Sequence, residues 1–259
     1  MDMEKLKKHW LSEEDMVFKG WDFSHLDGRW HHEPLSWDYD KLVRKHMQDS
    51  DVLLDMGTGG GEYLLTLNHP HRQTFVTEGY PPNVELCNAT LSPLGITVKQ
   101  VLGDDRLPFG DGIFDIVINR HESFDIGEVY RVLKPNGIFI TQQVGGENNH
   151  DLSSALLPGL IGRYSNHTLE SNVNAAKAQL FDILFQKEEF PVTRFHDIGA
   201  VVYYAKAIEW EFPNFSVDTC FPQLCNMQKK LDEKGFIESR EHRFIIVAKK
   251  GDAERDARE

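Results

Sequence analysis

Cysteine is scarce in this chain: Cys87, Cys220 and Cys225 are the only three among 259 residues. Their spacing is too irregular for a disulfide framework or a zinc ribbon, so they read as buried thiols of a reducing compartment. Long hydrophobic runs are missing as well. The apolar stretch around Ile116–Ile118 breaks off far short of the ~20 residues that a membrane span requires. No apolar stretch behind Met1-Asp2-Met3-Glu4-Lys5 has the character of a signal peptide. The expectation is a soluble, cytoplasmic protein without a membrane partner. Positive charge is also in short supply, since 28 Lys and Arg stand against 41 Asp and Glu, a formal net charge of −13. Nucleic-acid affinity comes largely from neutralising phosphates, and no basic stretch is denser than Lys5, Lys7 and Lys8. A nucleic-acid partner is therefore disfavoured. His31, His32, His69, His71, His150 and His196 form no metal-ligand pattern, and no metal is expected.

What the chain does have is enough apolar material for a real core, 40% of its residues, which excludes global disorder. Its length suits one α/β domain with an added segment. Residues 1–50 read as an N-terminal helical cap, with helix-like patches at Glu4–Trp10 and Asp40–Met47 and no clean strand. From Asp51 the pattern becomes strand, turn and helix in alternation. Strands are expected at Val52–Leu54, Thr74–Thr77, Ile96–Leu102, Phe114–Ile118 and Gly137–Val144, with helices between them. Residues 145–170 interrupt this rhythm as an insertion. Helices over Leu169–Phe181, Ile198–Trp210 and Val217–Lys234 follow, with strands at Ile183–Phe190 and Phe244–Ala248. The domain is expected to span 51–250, with 251–259 a charged tail. Such alternation implies right-handed crossovers and a mostly parallel sheet covered on both faces.

The segment Leu53-Leu54-Asp55-Met56-Gly57-Thr58-Gly59-Gly60-Gly61-Glu62 ends a buried strand and opens a helix. Glycine lets the backbone turn tightly and lets a ligand lie against the main chain. Dinucleotide sites use Gly-x-Gly-x-x-Gly, which sets a pyrophosphate on the helix N-terminus. Counted from Gly57, the third glycine of that pattern falls on Glu62, whose carboxylate opposes a pyrophosphate. The frame acidic-x-Gly-x-Gly-x-Gly fits from Asp55 to Gly61 without a mismatch.

On these residues, and on the elements that follow in order, the chain resembles the class I Rossmann-like methyltransferases that use S-adenosylmethionine, type 11 group. The resemblance covers roughly residues 50–145. It implies a doubly wound, mostly parallel seven-stranded sheet with an N-terminal helical segment and a lid insertion after strand five. It also implies that the loop bearing Gly57, Thr58, Gly59 and Gly61 passes under the cofactor, with Asp55 near its ammonium. A carboxylate ending strand two, here Glu78, can accept both ribose hydroxyls, and Tyr80 can pack on the adenine. Gly103-Asp104-Asp105-Arg106-Leu107-Pro108-Phe109 matches the family's acidic turn, one residue shorter than its commonest form. Asp104 and Asp105 both remain in play for the adenine amino group, with Asp104 preferred. Asn136 stands where a second glycine is common, and Asn tolerates positive φ.

Ligands of such sheets sit at the carboxyl ends of the strands, which puts Asn119, Arg120 and His121 beside the transferable methyl. Where the nucleophile needs a general base, His121 is the leading candidate and Glu122 the next. Aromatic residues concentrate outside the sheet, at Trp21, Trp30, Trp37 and Tyr39 and again at Phe195, Tyr203, Tyr204, Trp210, Phe212 and Phe215. In the family such segments form a lid, and Trp37 and Tyr39 are expected to reach the cofactor's methionine end. Residue for residue, core packing is the commoner fate of such aromatics. The favoured function is methyl transfer to O, N or C of a small-molecule metabolite. The alternatives are an rRNA-base methyltransferase and a protein that binds S-adenosylmethionine without transferring methyl.

Overall fold

The computed structural model describes residues 2–18, 22–103 and 105–251, so that Trp21, Asp104 and residues 252–259 lie outside it. In chain order the elements are α1 (Met3–Glu14), β1 (Trp30–His32), α2 (Tyr39–His46), β2 (Leu53–Met56), α3 (Glu62–Thr66), β3 (Thr74–Glu78), α4 (Pro81–Thr90), β4 (Thr97–Gln100), β5 (Phe114–Arg120), α5 (Ile126–Val132) and β6 (Leu133–Val144). They continue as α6 (His150–Leu156), α7 (Leu169–Ala178), β7 (Phe181–Glu189), β8 (Val192–Phe195), α8 (Ile198–Ala207), α9 (Phe221–Lys234), β9 (Ile237–Arg240) and β10 (Arg243–Lys250). The chain divides into two compact units, one of residues 1–35, 145–167 and 189–243, the other of residues 36–144, 168–188 and 244–259. Residues 36–50 thus group with the sheet, and residues 189–243 with the N-terminal segment.

The second unit holds the seven-stranded sheet, in the order β4-β3-β2-β5-β6-β10-β7. The pairings from β4 through β6 are all parallel. Side chains of a strand alternate between its faces, and the apolar runs here supply both. Leu54, Met56 and Val117 pack in one core with Phe114 and Phe139, while Leu53, Ile116 and Ile118 pack in another with Val43, Leu64 and Val76. This double burial is why Leu53-Leu54 in β2 and Ile116-Val117-Ile118 in β5 read as unbroken apolar stretches rather than alternating ones. Two motif elements turn out to be pins for this sheet. The Asp115 carboxylate accepts from the Val52 N–H at 2.8 Å and from Lys134 Nζ at 2.6 Å. Glu128 accepts from the Leu107 N–H at 2.7 Å and pairs with Arg131, which holds its carboxyl down to about 2 despite partial desolvation. Arg131 in turn donates to the carbonyls of Leu107 and Phe109, fixing the Leu-Pro-Phe turn. Asn136 adopts φ 65° within the first part of β6, ahead of the continuous pairing with β5 that starts at Ile138.

The first unit contains a sheet that the sequence reading did not anticipate. Strand β1 pairs antiparallel with β8, Trp30 opposite Phe195, and β8 pairs antiparallel with β9. The expectation of no strand before residue 50 is thereby corrected. Three residues, two of them histidine, carry no periodic signal, and their partner lies far along the chain. The helix expected over Ile198–Trp210 stops at Ala207, and the one expected from Val217 starts at Phe221, next to Pro222. The helix α7 stops at Ala178, and Leu180, at φ 61°, turns the chain into Phe181, which opens β7 instead of closing the helix. Trp30, Phe195, Tyr203, Tyr204, Phe212 and Phe215 pack together in the apolar core of this unit with Trp10 and Leu26. Those aromatics are core, and Trp210 is about half exposed. Arg29 clamps Asp197 with two hydrogen bonds of 2.6 and 2.9 Å, while Asp197 caps α8 through the Ala200 N–H. Among the described residues no helix is long and apolar enough to cross a membrane.

Candidate active site

Strand order reverses at β2, which has β3 on one side and β5 on the other. At such a switch point the connections leave in opposite directions and open a crevice at the carboxyl ends of the strands. The register brings Asp55, Glu78, Asn119 and Arg120 to that end, since Met56 lies opposite both Thr77 and Asn119. The glycine loop connects β2 to α3 there. Gly57, Gly59 and Gly61 all take positive φ, at 69, 63 and 84°. The Gly57 and Thr58 N–H groups donate to the Thr77 carbonyl, and Gly61 N–H to that of Thr58. Among the described residues, a Cβ on Gly59 would meet nothing within 4 Å, whereas one on Gly57 would fall 2.4 Å from Glu122 Cγ. The loop thus leaves open space at Gly59, and Glu122 lies over Gly57.

Glu78 is 5% exposed and wraps the loop end. Its Oε2 accepts from Gly59 N–H at 2.7 Å, and its Oε1 from Gly79 and Tyr80 N–H at 2.9 and 3.0 Å. Oε2, with one bond accepted, keeps further acceptor capacity. Asp55 is as deeply buried, and burial first, then the charge of Glu78, pushes its carboxyl up to about 7 against the pull of Thr58 and Arg120. Under the loop, Cys87 donates its S–H to the Gly59 carbonyl at 3.1 Å. Burial, followed by Glu78, Glu62 and Asp55, pushes that thiol up to about 11, so it keeps its proton and remains a donor. Glu62 lies over Gly60, where a Cβ would be 2.2 Å from its Oε1. Four carboxylates therefore surround the loop.

At the end of β5 the side chains separate onto the two faces of the sheet. Asn119 is fully buried, and its Oδ1 accepts from Thr141 Oγ1 at 2.8 Å and Gln143 Nε2 at 2.6 Å. Gln143 also donates to the Glu122 carbonyl at 3.0 Å, tying down the segment after the strand. The Asn119 amide nitrogen has no partner among the described residues. On the other face, the Arg120 guanidinium sits 5.8 and 5.6 Å from the ring centres of Tyr39 and Tyr63, within cation–π range. Tyr39 is buried and donates its hydroxyl to the Asn119 carbonyl at 3.2 Å, and its burial holds the phenol well above its ordinary range. Trp37 donates its indole N–H to Gln142 Oε1 at 2.8 Å, and Gln142 Nε2 lies 3.1 Å from His121 Nε2.

The structure thus brings together Asp55, the glycine loop, Glu78, Asn119, Glu122, Trp37 and Tyr39 through contacts of one or two steps. Tyr80, at the N-cap of α4, is 62% exposed, and Asp105 is exposed on the turn after β4. Asp104 lies outside the described residues. Sequence reasoning passed over Tyr63, Cys87, Thr141, Gln142 and Gln143. A signal for the last three was present: Thr-Gln-Gln inside the apolar strand β6 buries three polar side chains, and buried polar groups need partners. Among the described residues, no three His, Cys, Asp or Glu side chains gather as a metal site.

Residues 54–141 match the model of a methyltransferase domain family. No curated protein matches the sequence. Among solved structures, the YcgJ protein of Bacillus subtilis is similar, at 17% identity, TM-score 0.55, over 83% of this chain and 99% of that one. A methyltransferase of Bacillus halodurans, named as inferred in its description, gives 17% identity and TM-score 0.53 over the same shares. A functionally unknown protein of Deinococcus radiodurans gives 14% and 0.55 over 85% of this chain and 90% of that one. These likenesses establish the fold. At residues 54–141 the chain is therefore similar to that methyltransferase domain family.

Proposed function

We propose that this protein is a methyltransferase that uses S-adenosylmethionine and acts on an oxygen, nitrogen or carbon atom of a small-molecule metabolite by in-line displacement. The observation that carries the reading is the glycine loop, open at Gly59 and surrounded by Asp55, Glu62, Glu78 and Glu122. A loop lined in this way repels a phosphate and suits a cofactor that carries cations and none. S-adenosylmethionine, when bound, supplies a methyl group made electrophilic by its sulfonium. The residues fit it: Asp55 for the ammonium, Glu78 for the ribose hydroxyls, Tyr80 and Asp104 or Asp105 for the adenine. His121 and Glu122 are the groups at the end of β5 that orient the methyl acceptor or take its proton. The net charge of −13 favours a metabolite over RNA as acceptor.

Transfer of radiolabelled methyl is the test, with a metabolite extract and an RNA extract offered side by side. Label entering the metabolite fraction alone is the expected result, and label confined to RNA overturns the substrate class. Binding without transfer to either would make the chain a non-catalytic cofactor-binding protein. Glu78→Ala is expected to weaken S-adenosylmethionine by about 1–3 kcal/mol in calorimetry, the range for buried groups left without an acceptor. Unaltered affinity would move the ribose to Tyr80 or to main-chain groups.

A further inference from the structure

Gln142 makes three contacts that together decide where the His121 ring carries its proton. An indole N–H only donates, so the bond from Trp37 Nε1 identifies the Gln142 atom it meets as the amide oxygen. The other amide atom is then the NH2 group, and it faces His121 Nε2 at 3.1 Å. An NH2 group only donates, so His121 Nε2 must be the accepting nitrogen of a neutral ring. The hydrogen bond made by one ring nitrogen sets the tautomer of the other. The backbone reinforces the arrangement: His121 N–H donates to the Gln142 carbonyl at 2.8 Å, and His121 sits at φ 63°, a left-handed conformation that a side chain disfavours. Ring and main chain are both fastened to one residue of the neighbouring strand.

We infer that Trp37 and Gln142 are positioning residues that hold His121 as its Nδ1–H tautomer, so that the ring meets the methyl acceptor as a hydrogen-bond donor and not as a base. This rests on the end of β5 being the site of methyl transfer, as proposed above. The lone pair a base would use, at Nε2, is committed to Gln142. A ring bearing both protons would set N–H against N–H. The proton-accepting role among the two sequence-derived candidates therefore passes to Glu122, whose side chain lies over Gly57. An acceptor atom with a lone pair directed at His121 fits this arrangement, such as a hydroxyl, a carboxylate or a neutral amine.

Nitrogen-15 NMR of the ring distinguishes the tautomers directly, with the His121 signals assigned by their loss in His121→Asn. Free histidine favours Nε2–H, so the default and the expected states differ. The expected result for the natural protein is a His121 ring protonated mainly at Nδ1. Gln142→Glu, whose carboxylate only accepts, is expected to invert the ratio to mainly Nε2–H. Trp37→Phe, at a partly exposed position, lets the amide turn and is expected to return the ratio toward that of free histidine, so the inference stays testable if the buried Gln142 variant does not fold. A natural protein with His121 mainly Nε2–H, or a ratio unmoved in a folded Gln142→Glu or Trp37→Phe, overturns the tautomer lock. Calorimetry with S-adenosylmethionine on the same natural sample examines the underlying reading separately. Absent binding beside an Nδ1–H ring would overturn the assigned role at the methyl acceptor while leaving the lock intact.

Discussion

Gly59→Val is expected to leave a folded protein whose affinity for S-adenosylmethionine falls more than about 100-fold, the largest effect of any single change in the loop. Two separate quantities support this. The residue sits at φ 63°, where a side chain costs roughly 1–2 kcal/mol per residue, a sum that a domain stable by about 5–15 kcal/mol absorbs. A Cβ there meets no atom of the described residues within 4 Å, so these raise no steric objection beyond the backbone strain. On the proposed reading of the loop, the added branches enter the space that the cofactor would occupy. Gly57→Val makes the contrast, because its Cβ would fall 2.4 Å from Glu122 Cγ. That variant is expected to displace Glu122 and to lose thermal stability along with affinity. Calorimetry paired with thermal melts separates the two cases. Full affinity in a folded Gly59→Val protein would mean that the cofactor lies elsewhere and that the loop assignment is wrong. NAD is expected to show no saturable binding at micromolar concentration to the natural protein.

The loop and its sheet were legible in the sequence for a physical reason. A parallel strand buried on both faces must be apolar throughout, and glycines at positive φ tolerate few substitutes, so Leu53-Leu54 and Gly57, Gly59 and Gly61 carry their structure locally. Asn136 shows the same economy, since only a residue at home at positive φ serves at that position. The small antiparallel sheet was not legible. Strands β1, β8 and β9 are three or four residues long and find partners at great sequence distance, so no local period announces them. The aromatic clusters misled in a related way. Tyr203, Tyr204, Phe212 and Phe215 could line a binding face or fill a core, and only the packing around Trp10 and Phe195 decides for the core. At the site, residue types were readable and their partners were not. Nothing local to His121 says that Gln142, two strands' worth of sequence away, holds its ring, or that the Trp37 indole is committed to the same glutamine.

Binding of S-adenosylmethionine is expected to release a proton near pH 6.5, and Asp55 is the group that loses it. Burial and the charge of Glu78 push the Asp55 carboxyl up to about 7 in the folded protein without cofactor, from an ordinary value of 3.8. The sign follows from that elevation. The stability associated with keeping Asp55 protonated is fully present below pH 3.8 and is lost as pH rises through about 7. At about 1.4 kcal/mol per pKa unit, the loss amounts to a few kcal/mol by neutral pH. An ammonium placed against the carboxyl has the opposite preference, since a nearby cation favours the ionised form. Binding therefore lowers the Asp55 pKa and expels the proton below pH 7, and the affinity rises with pH until Asp55 is ionised in the free protein. Calorimetry in buffers of different ionisation enthalpy reads the released proton directly, over about pH 5.5 to 7. Asp55→Asn is expected to abolish the release, flatten the pH dependence and weaken binding by about 1.5–3 kcal/mol, the worth of a hydrogen bond to a charged group. The same variant is expected to melt higher than the natural protein at pH 8 without cofactor, an advantage that shrinks as pH falls below 7 and vanishes below pH 3.8, where Asp55 is protonated folded and unfolded alike. Proton release that persists in Asp55→Asn would transfer the linkage to another carboxylate of the loop. Affinity independent of pH in the natural protein would show that the cofactor's ammonium does not face Asp55 at all.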